Sequence, residues 1–162
     1  MSLLRHSWQQ GLRIVWRLAT LPGRREPVQA ILVITSDGAK GSHQDFEGFH
    51  ALLTDRLTDA VDRGALTGPV PAIVHLTQGG IDFEEYSDMF DTLNRAVDHA
   101  RDIYGAGHDE VCIDITAGLK VFSIAAANVT MNRKLIFSYI NNEGEPQYYD
   151  ATIELGALLG KD

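Results

Sequence analysis

Short β-branched runs that alternate with long stretches carrying the spacing of one helix face constrain this chain more than any other feature. Residues 30–35, 72–77, 111–116 and 134–140 are apolar, β-branched runs of strand length. Between the first and second, Phe46, Phe49, Leu53, Leu57 and Val61 recur at spacings of three and four, with Gly64 just past them. Between the second and third, Tyr86, Phe90, Leu93, Val97, Ala100 and Tyr104 do the same, ended by Gly105 and Gly107. Residues 119–132 read as an almost uniformly apolar helix, which must be covered on most sides, by the sheet or by another subunit. The fourth run meets Asn141-Asn142-Glu143-Gly144, a turn that leads back into an antiparallel strand over residues 147–153. Continuous apolar strands with helical crossovers predict an α/β fold: a Rossmann-like, mostly parallel sheet with helices on both faces, closed by a C-terminal β-hairpin. Ligands of such sheets bind outside the carboxyl ends of the strands.

The 162 residues are 44% apolar, enough for one core and one main domain. Charge divides the chain. Residues 1–25 hold Arg5, Arg13, Arg17, Arg24 and Arg25 and no acid, whereas the remainder carries nine basic and 22 acidic side chains, a net −13. The overall charge of −8 argues against duplex nucleic acid as a partner. Leu4, Trp8, Leu12, Val15 and Leu18 place the first segment on one helix face, and the proline- and glycine-rich residues 21–27 break it. Residues 1–27 are thus a basic amphipathic arm and linker, and 28–162 a ligand-binding domain. Arginines beside an apolar helix face suit an anionic membrane surface, and equally a helix docked on the acidic body. Cys112 sits in an apolar run as a small hydrophobe, the usage of a reducing compartment. The six histidines are scattered, so no metal and no cofactor is expected.

Chemistry should therefore be sought just after each strand. The four loops begin Thr35-Ser36-Asp37-Gly38, Thr77-Gln78-Gly79-Gly80, Thr116-Ala117-Gly118 and Asn141-Asn142. Glycines let backbone N–H groups approach a ligand, hydroxyls add donors, and a following helix N-terminus favours an anion. Lys120 is one of four lysines and lies in the first turn of a nearly uncharged helix, where a cation opposes the helix dipole unless an anion compensates. Asp114, inside an apolar strand, either faces a ligand or bonds neighbouring donors. Neither a Walker loop, a G-x-G-x-x-G turn nor a nucleophile elbow occurs, which excludes the usual triphosphatase, dehydrogenase and hydrolase signatures.

The segment Ile113-Asp114-Ile115-Thr116-Ala117-Gly118-Leu119-Lys120, its apolar helix and the strand Ile136–Ile140 resemble the Asp-x-Thr-Gly-Gly-x-Lys region of CRISPR-associated Rossmann fold (CARF) domains. The loop from Thr35 to Gly38 shares the resemblance, which spans roughly residues 28–155. The chain departs from the pattern at Ala117 and Leu119. The resemblance implies a homodimeric sensor of type III CRISPR antiviral signalling that binds a cyclic oligoadenylate, foremost the four-adenine ring, across its twofold axis. Its ligand-binding residues would be Thr35, Ser36, Asp37, Gly38, Gln78, Gly79, Gly80, Thr116, Ala117, Gly118, Lys120 and Asn141. Some relatives cleave the ring, for which Ser36 and Lys120 are the ingredients here, but binding without turnover is the favoured expectation. The family's membrane effectors further imply a cytoplasmic sensor at the inner face of the inner membrane. The alternative outside the family is a small α/β enzyme acting on a phosphorylated metabolite, with Lys120 as anion clamp.

Overall fold

A computed structural model describes residues 27–116 and 120–150. The basic arm through residue 26, Ala117, Gly118 and the end of the expected last strand lie outside the described residues. The rest is a mixed α/β protein built from small parallel and mixed sheets. Strands β1 (Ala30–Val33) and β2 (Ala72–His75) pair in parallel, Ala30 opposite Ala72 and Val33 opposite His75. Strands β3 (Cys112–Asp114) and β4 (Ile136–Ile140) pair in parallel, Asp114 opposite Ser138, and β5 (Pro146–Asp150) runs antiparallel along β4. The expected single parallel sheet is thus two pieces: among the described residues no strand of the first pairs with one of the second. Strand–helix alternation dictates the direction of successive strands but not which edges hydrogen-bond, so the split was not legible from it.

Among the described residues three α-helices cover these pieces: α1 (Phe46–Asp62), α2 (Tyr86–Tyr104) and α3 (Lys120–Arg133). One core gathers Leu53, Leu57 and Ala60 of α1 with Leu66, and Ile31 and Ile73 from the paired strands rest against it. The other joins Met89, Leu93 and Val97 of α2, Phe122, Ala125, Ala126 and Val129 of α3, and Ile113 and Leu135. Leu57 and Met89 are fully buried, and truncating either to alanine costs about 2–5 kcal/mol. Ile34, Ile81 and Ile115 all pack against the second core, which brings the ends of β1 and β3 and the segment after β2 around one apolar centre.

The helix ends follow from local chemistry. Gly105 adopts φ +66°, with its N–H on Arg101 O and that of Ala106 on Ala100 O, the two bonds of a glycine stop. At the end of α3 the left-handed position falls on Lys134, φ +56°, so β4 starts at Ile136 rather than at residue 134. Arg133 ties α3 to α2, its Nε on Asn94 Oδ1 at 2.9 Å and its Nη1 on Asp98 Oδ1 at 2.6 Å. This guanidinium holds the Asp98 carboxyl below its ordinary range. No helix among the described residues is long and apolar enough to cross a membrane.

Candidate functional site

Three of the four parallel strands, β1, β2 and β3, are followed two residues past their ends by a threonine, and these threonines decide the geometry beyond them. A β-branched side chain suits the strand, while its hydroxyl reaches backbone groups that the ladder no longer serves. Thr35 N–H donates to Thr77 Oγ1 at 2.8 Å, and Thr35 Oγ1 donates to Thr77 O at 3.0 Å. A carbonyl only accepts, so the Thr35 hydroxyl proton is spent there. His75 Nε2, 2.8 Å from the same oxygen, must then be the donor. The imidazole stacks on Phe46, ring centres 3.8 Å apart and 16° from parallel. Burial lowers the His75 pKa, reinforced by His43 and opposed by Glu47.

Beyond this latch the chain closes a clasp. Ser36 N–H donates to Ser42 Oγ at 2.9 Å and Ser42 N–H to Ser36 Oγ at 3.0 Å. Ser36 O accepts from His43 Nδ1 at 2.9 Å, and Gly38 O accepts from Gln44 Nε2 at 2.9 Å. The second loop is bound to the first: Asp37 N–H donates to Ile81 O and Ile81 N–H to Thr35 O, each at 3.0 Å. Gly80, at φ +75°, makes this approach possible, because a Cβ there would stand 2.5 Å from Asp37 N and Ser36 O. Asp37, Gly38, Gln78 and Gly79 are left exposed on the outer surface.

A second latch joins β3 to β4. Asp114 Oδ1 accepts from Thr116 Oγ1 at 2.7 Å, from Thr116 N–H at 3.3 Å and from Ser138 Oγ at 3.4 Å. Thr116 Oγ1 in turn accepts from Ile140 N–H at 2.8 Å. Burial pushes the Asp114 pKa up, against the pull of these donors. Of the two roles open to it, Asp114 takes the structural one. Asn141 is similarly occupied, its Oδ1 accepting from Glu143 N–H at 3.0 Å and Glu145 N–H at 2.9 Å to hold the turn into β5. Lys120 opens α3, exposed, and forms no ion pair with the described residues.

The structure therefore brings Thr35, Ser36, Asp37 and Gly38 together with Gln78, Gly79 and Gly80, and it groups Thr116 with Asn141 through the β4 end. Within the first group, Thr35 is only 4% exposed and its hydroxyl points inward. Ser42, His43, His75 and Ser138 were not singled out from sequence, although His75 to Thr77 and Asp114 to Thr116 share the two-residue spacing that puts side chains on one side of an extended segment. An open depression of about 570 Å³ bordered by Ile81, Asp88, Asp91, Thr92 and Arg95 adjoins the loops, but its two carboxylates give it the wrong sign for phosphates. Among the described residues no three His, Cys, Asp or Glu side chains are grouped to hold a metal ion. No protein-family model, curated protein or solved structure matches the chain.

Proposed function

We propose that the domain is a sensor that binds a cyclic oligoadenylate, foremost the four-adenine ring, over its strand ends as a homodimer, without turning it over. The observation that carries this reading is the double-loop platform: Ser36 to Gly38 and Gln78 to Gly79 stand side by side, braced from behind by the Thr35, Thr77 and Gly80 contacts. Exposed backbone and small polar groups on a braced support can meet a nucleotide with little ordering cost. In this proposal Ser36, Asp37, Gly38, Gln78 and Gly79 contact the ring, and Lys120, with Ala117 and Gly118 before it, takes a phosphate. Asp37 suits an adenine amine or ribose hydroxyl. Thr35, Gly80, Thr116 and Asn141 hold the loops in shape. The two sheets are the halves of a Rossmann-like arrangement closed by the β4–β5 hairpin, with the basic arm linking the sensor to a membrane effector.

Thermal unfolding with rings of three, four and six adenines tests the reading. Ligand at about one hundred times its Kd adds ~2.7 kcal/mol, a shift of several degrees for a chain of this size. An unchanged melting temperature with all three rings defeats the proposal.

A further inference from the structure

The β1–β2 pair is apolar on both faces, but α1 covers only one of them. Ile31 and Ile73 pack into the α1 core, so Ala30, Leu32, Ala72 and Val74 point to the other side, Leu32 opposite Val74. None of these four belongs to either core, and none is fully buried. Among the described residues α2 reaches this face at the strand ends, where Ile34 and Ile81 join its core. Parallel strands with helical crossovers are normally buried on both faces, so this face calls for a cover. The flank of α2 beside it is acidic. Asn128 and Arg133 of α3 bond Tyr86, Asn94 and Asp98 along one side of α2, which leaves Asp88, Thr92 and Arg95 on the side turned from α3, at the open depression. Arg95 donates to Thr92 Oγ1, whereas Asp88 and Asp91 are exposed and form no ion pair with a described residue.

We propose that residues 4–18 of the basic arm dock as a helix on this face, their apolar stripe along Leu32, Ala72 and Val74 and Arg5 against Asp88 and Asp91.

Charge, length and connection select this occupant. A helix of about fifteen residues is marginal alone in water, and the stripe of Leu4, Trp8, Leu12, Val15 and Leu18 needs an apolar cover. Such a helix is about 22 Å long, and residues 30–36 in extended form span about 23 Å. Pro27 stands close to Gly68, at the amino-terminal ends of β1 and β2. The arm therefore arrives at that end through the nine residues 19–27, and its helix runs alongside α2 in the same direction. Arg5, at the edge of the stripe, then reaches the first turns of α2, where Asp88 and Asp91 stand. Arg13 and Arg17 fall on the side opposite the stripe and stay available to an anionic surface.

Trp8 and Trp16 are the two tryptophans of the chain, so in a Trp16→Phe background fluorescence reports the stripe alone. In that otherwise full chain, Trp8 emission should be blue-shifted and its quenching by acrylamide several-fold weaker than in urea. Ala72→Arg, at an exposed position, and the pair Asp88→Lys with Asp91→Lys should each move both readings toward those of the unfolded chain. Melting curves verify that the domain still folds. Adding Arg5→Glu to the lysine pair should restore the shielding, because the charges are then exchanged, and Glu143→Lys on the β4–β5 turn should leave it unchanged. A Trp8 as accessible in the native chain as in urea, or shielded only when phosphatidylglycerol vesicles are added, overturns the docking. Shielding lost on dilution assigns the arm to a second copy and overturns it too, as does shielding that survives both Ala72→Arg and the lysine pair. No ring enters these measurements, so their outcome is separate from that of the sensor reading.

Discussion

Replacing Thr35 by valine separates a latch from a ligand contact, because valine keeps the shape of threonine and removes only the hydroxyl. The buried Thr35 Oγ1 donates to Thr77 O at 3.0 Å and accepts from His75 Nε2 at 2.8 Å. Thr77 O keeps a second donor, Gly80 N–H at 2.8 Å, and Thr77 Oγ1 keeps Thr35 N–H. Two hydrogen bonds are lost at about 1 kcal/mol each, and the half-buried His75 N–H is left without its acceptor at up to about 1 kcal/mol more. The total is about 2–3 kcal/mol, or roughly 5–10 °C in melting temperature for a chain of this length. Urea or thermal unfolding measures it, and ring affinity of the folded variant is expected to change less than about threefold. A loss of stability under about 0.5 kcal/mol combined with a tenfold or greater loss of ring affinity would refute the latch and return Thr35 to the ligand.

Lys120→Ala is expected to weaken ring binding by about 1.5–3 kcal/mol, the worth of a hydrogen bond to a charged group, with an unchanged melting temperature, and Ser36→Ala to weaken it less; normal binding by Lys120→Ala would show the lysine to be a surface residue. The folded-state pKa of His75 lies below its ordinary 6.5, so the unfolded chain binds the proton more readily. Its share of stability is complete above that value and is lost as pH falls from 6.5 through the folded pKa. Replacing His75 by glutamine, which can still donate to Thr35, should flatten this slope between pH 7 and 5.5 in melting curves; an unaltered slope contradicts the assignment. Each arginine of the arm near an anionic bilayer contributes about 1 kcal/mol, so the intact chain is expected to cosediment with anionic vesicles at low salt and a chain lacking residues 1–25 not to; equal behaviour of the two would remove the membrane proposal.

Helices were more legible than strands. The periodicity from Phe46 to Val61 corresponds to α1, whose buried side includes Phe46, Leu53 and Leu57, and Gly64 lies at φ +68° just past it. The stripe predicted from Tyr86 to Tyr104 spans α2, but Met89 is fully buried while Tyr86 is 39% exposed, its hydroxyl accepting from Asn128 Nδ2. Strands β1, β2 and β3 end short of their apolar runs, where the hydroxyls of Thr35, Thr77 and Thr116 engage neighbouring backbone, while β4 starts late because of Lys134. The positions of the strand-end loops were readable, since glycine and serine after a β-branched run mark them. Their internal wiring was not. The Ser36–Ser42 exchange, the His75 donor, 40 positions from Thr35, and the close pass of Gly80 over Asp37 join residues far apart in the chain, which local periodicity does not register. The α3 residues illustrate both cases: composition predicted cover on most sides, and only the fold distinguishes the covered side from the side that carries the exposed Ile124 and Met131.

Isothermal titration of the full chain with the four-adenine ring addresses the central claim most directly. The account predicts saturable heat with one ring per two chains, which Lys120→Ala diminishes. One ligand per chain would point to a metabolite enzyme instead, and the absence of heat with rings of three, four and six adenines, together with unchanged melting temperatures, would contradict the sensor reading.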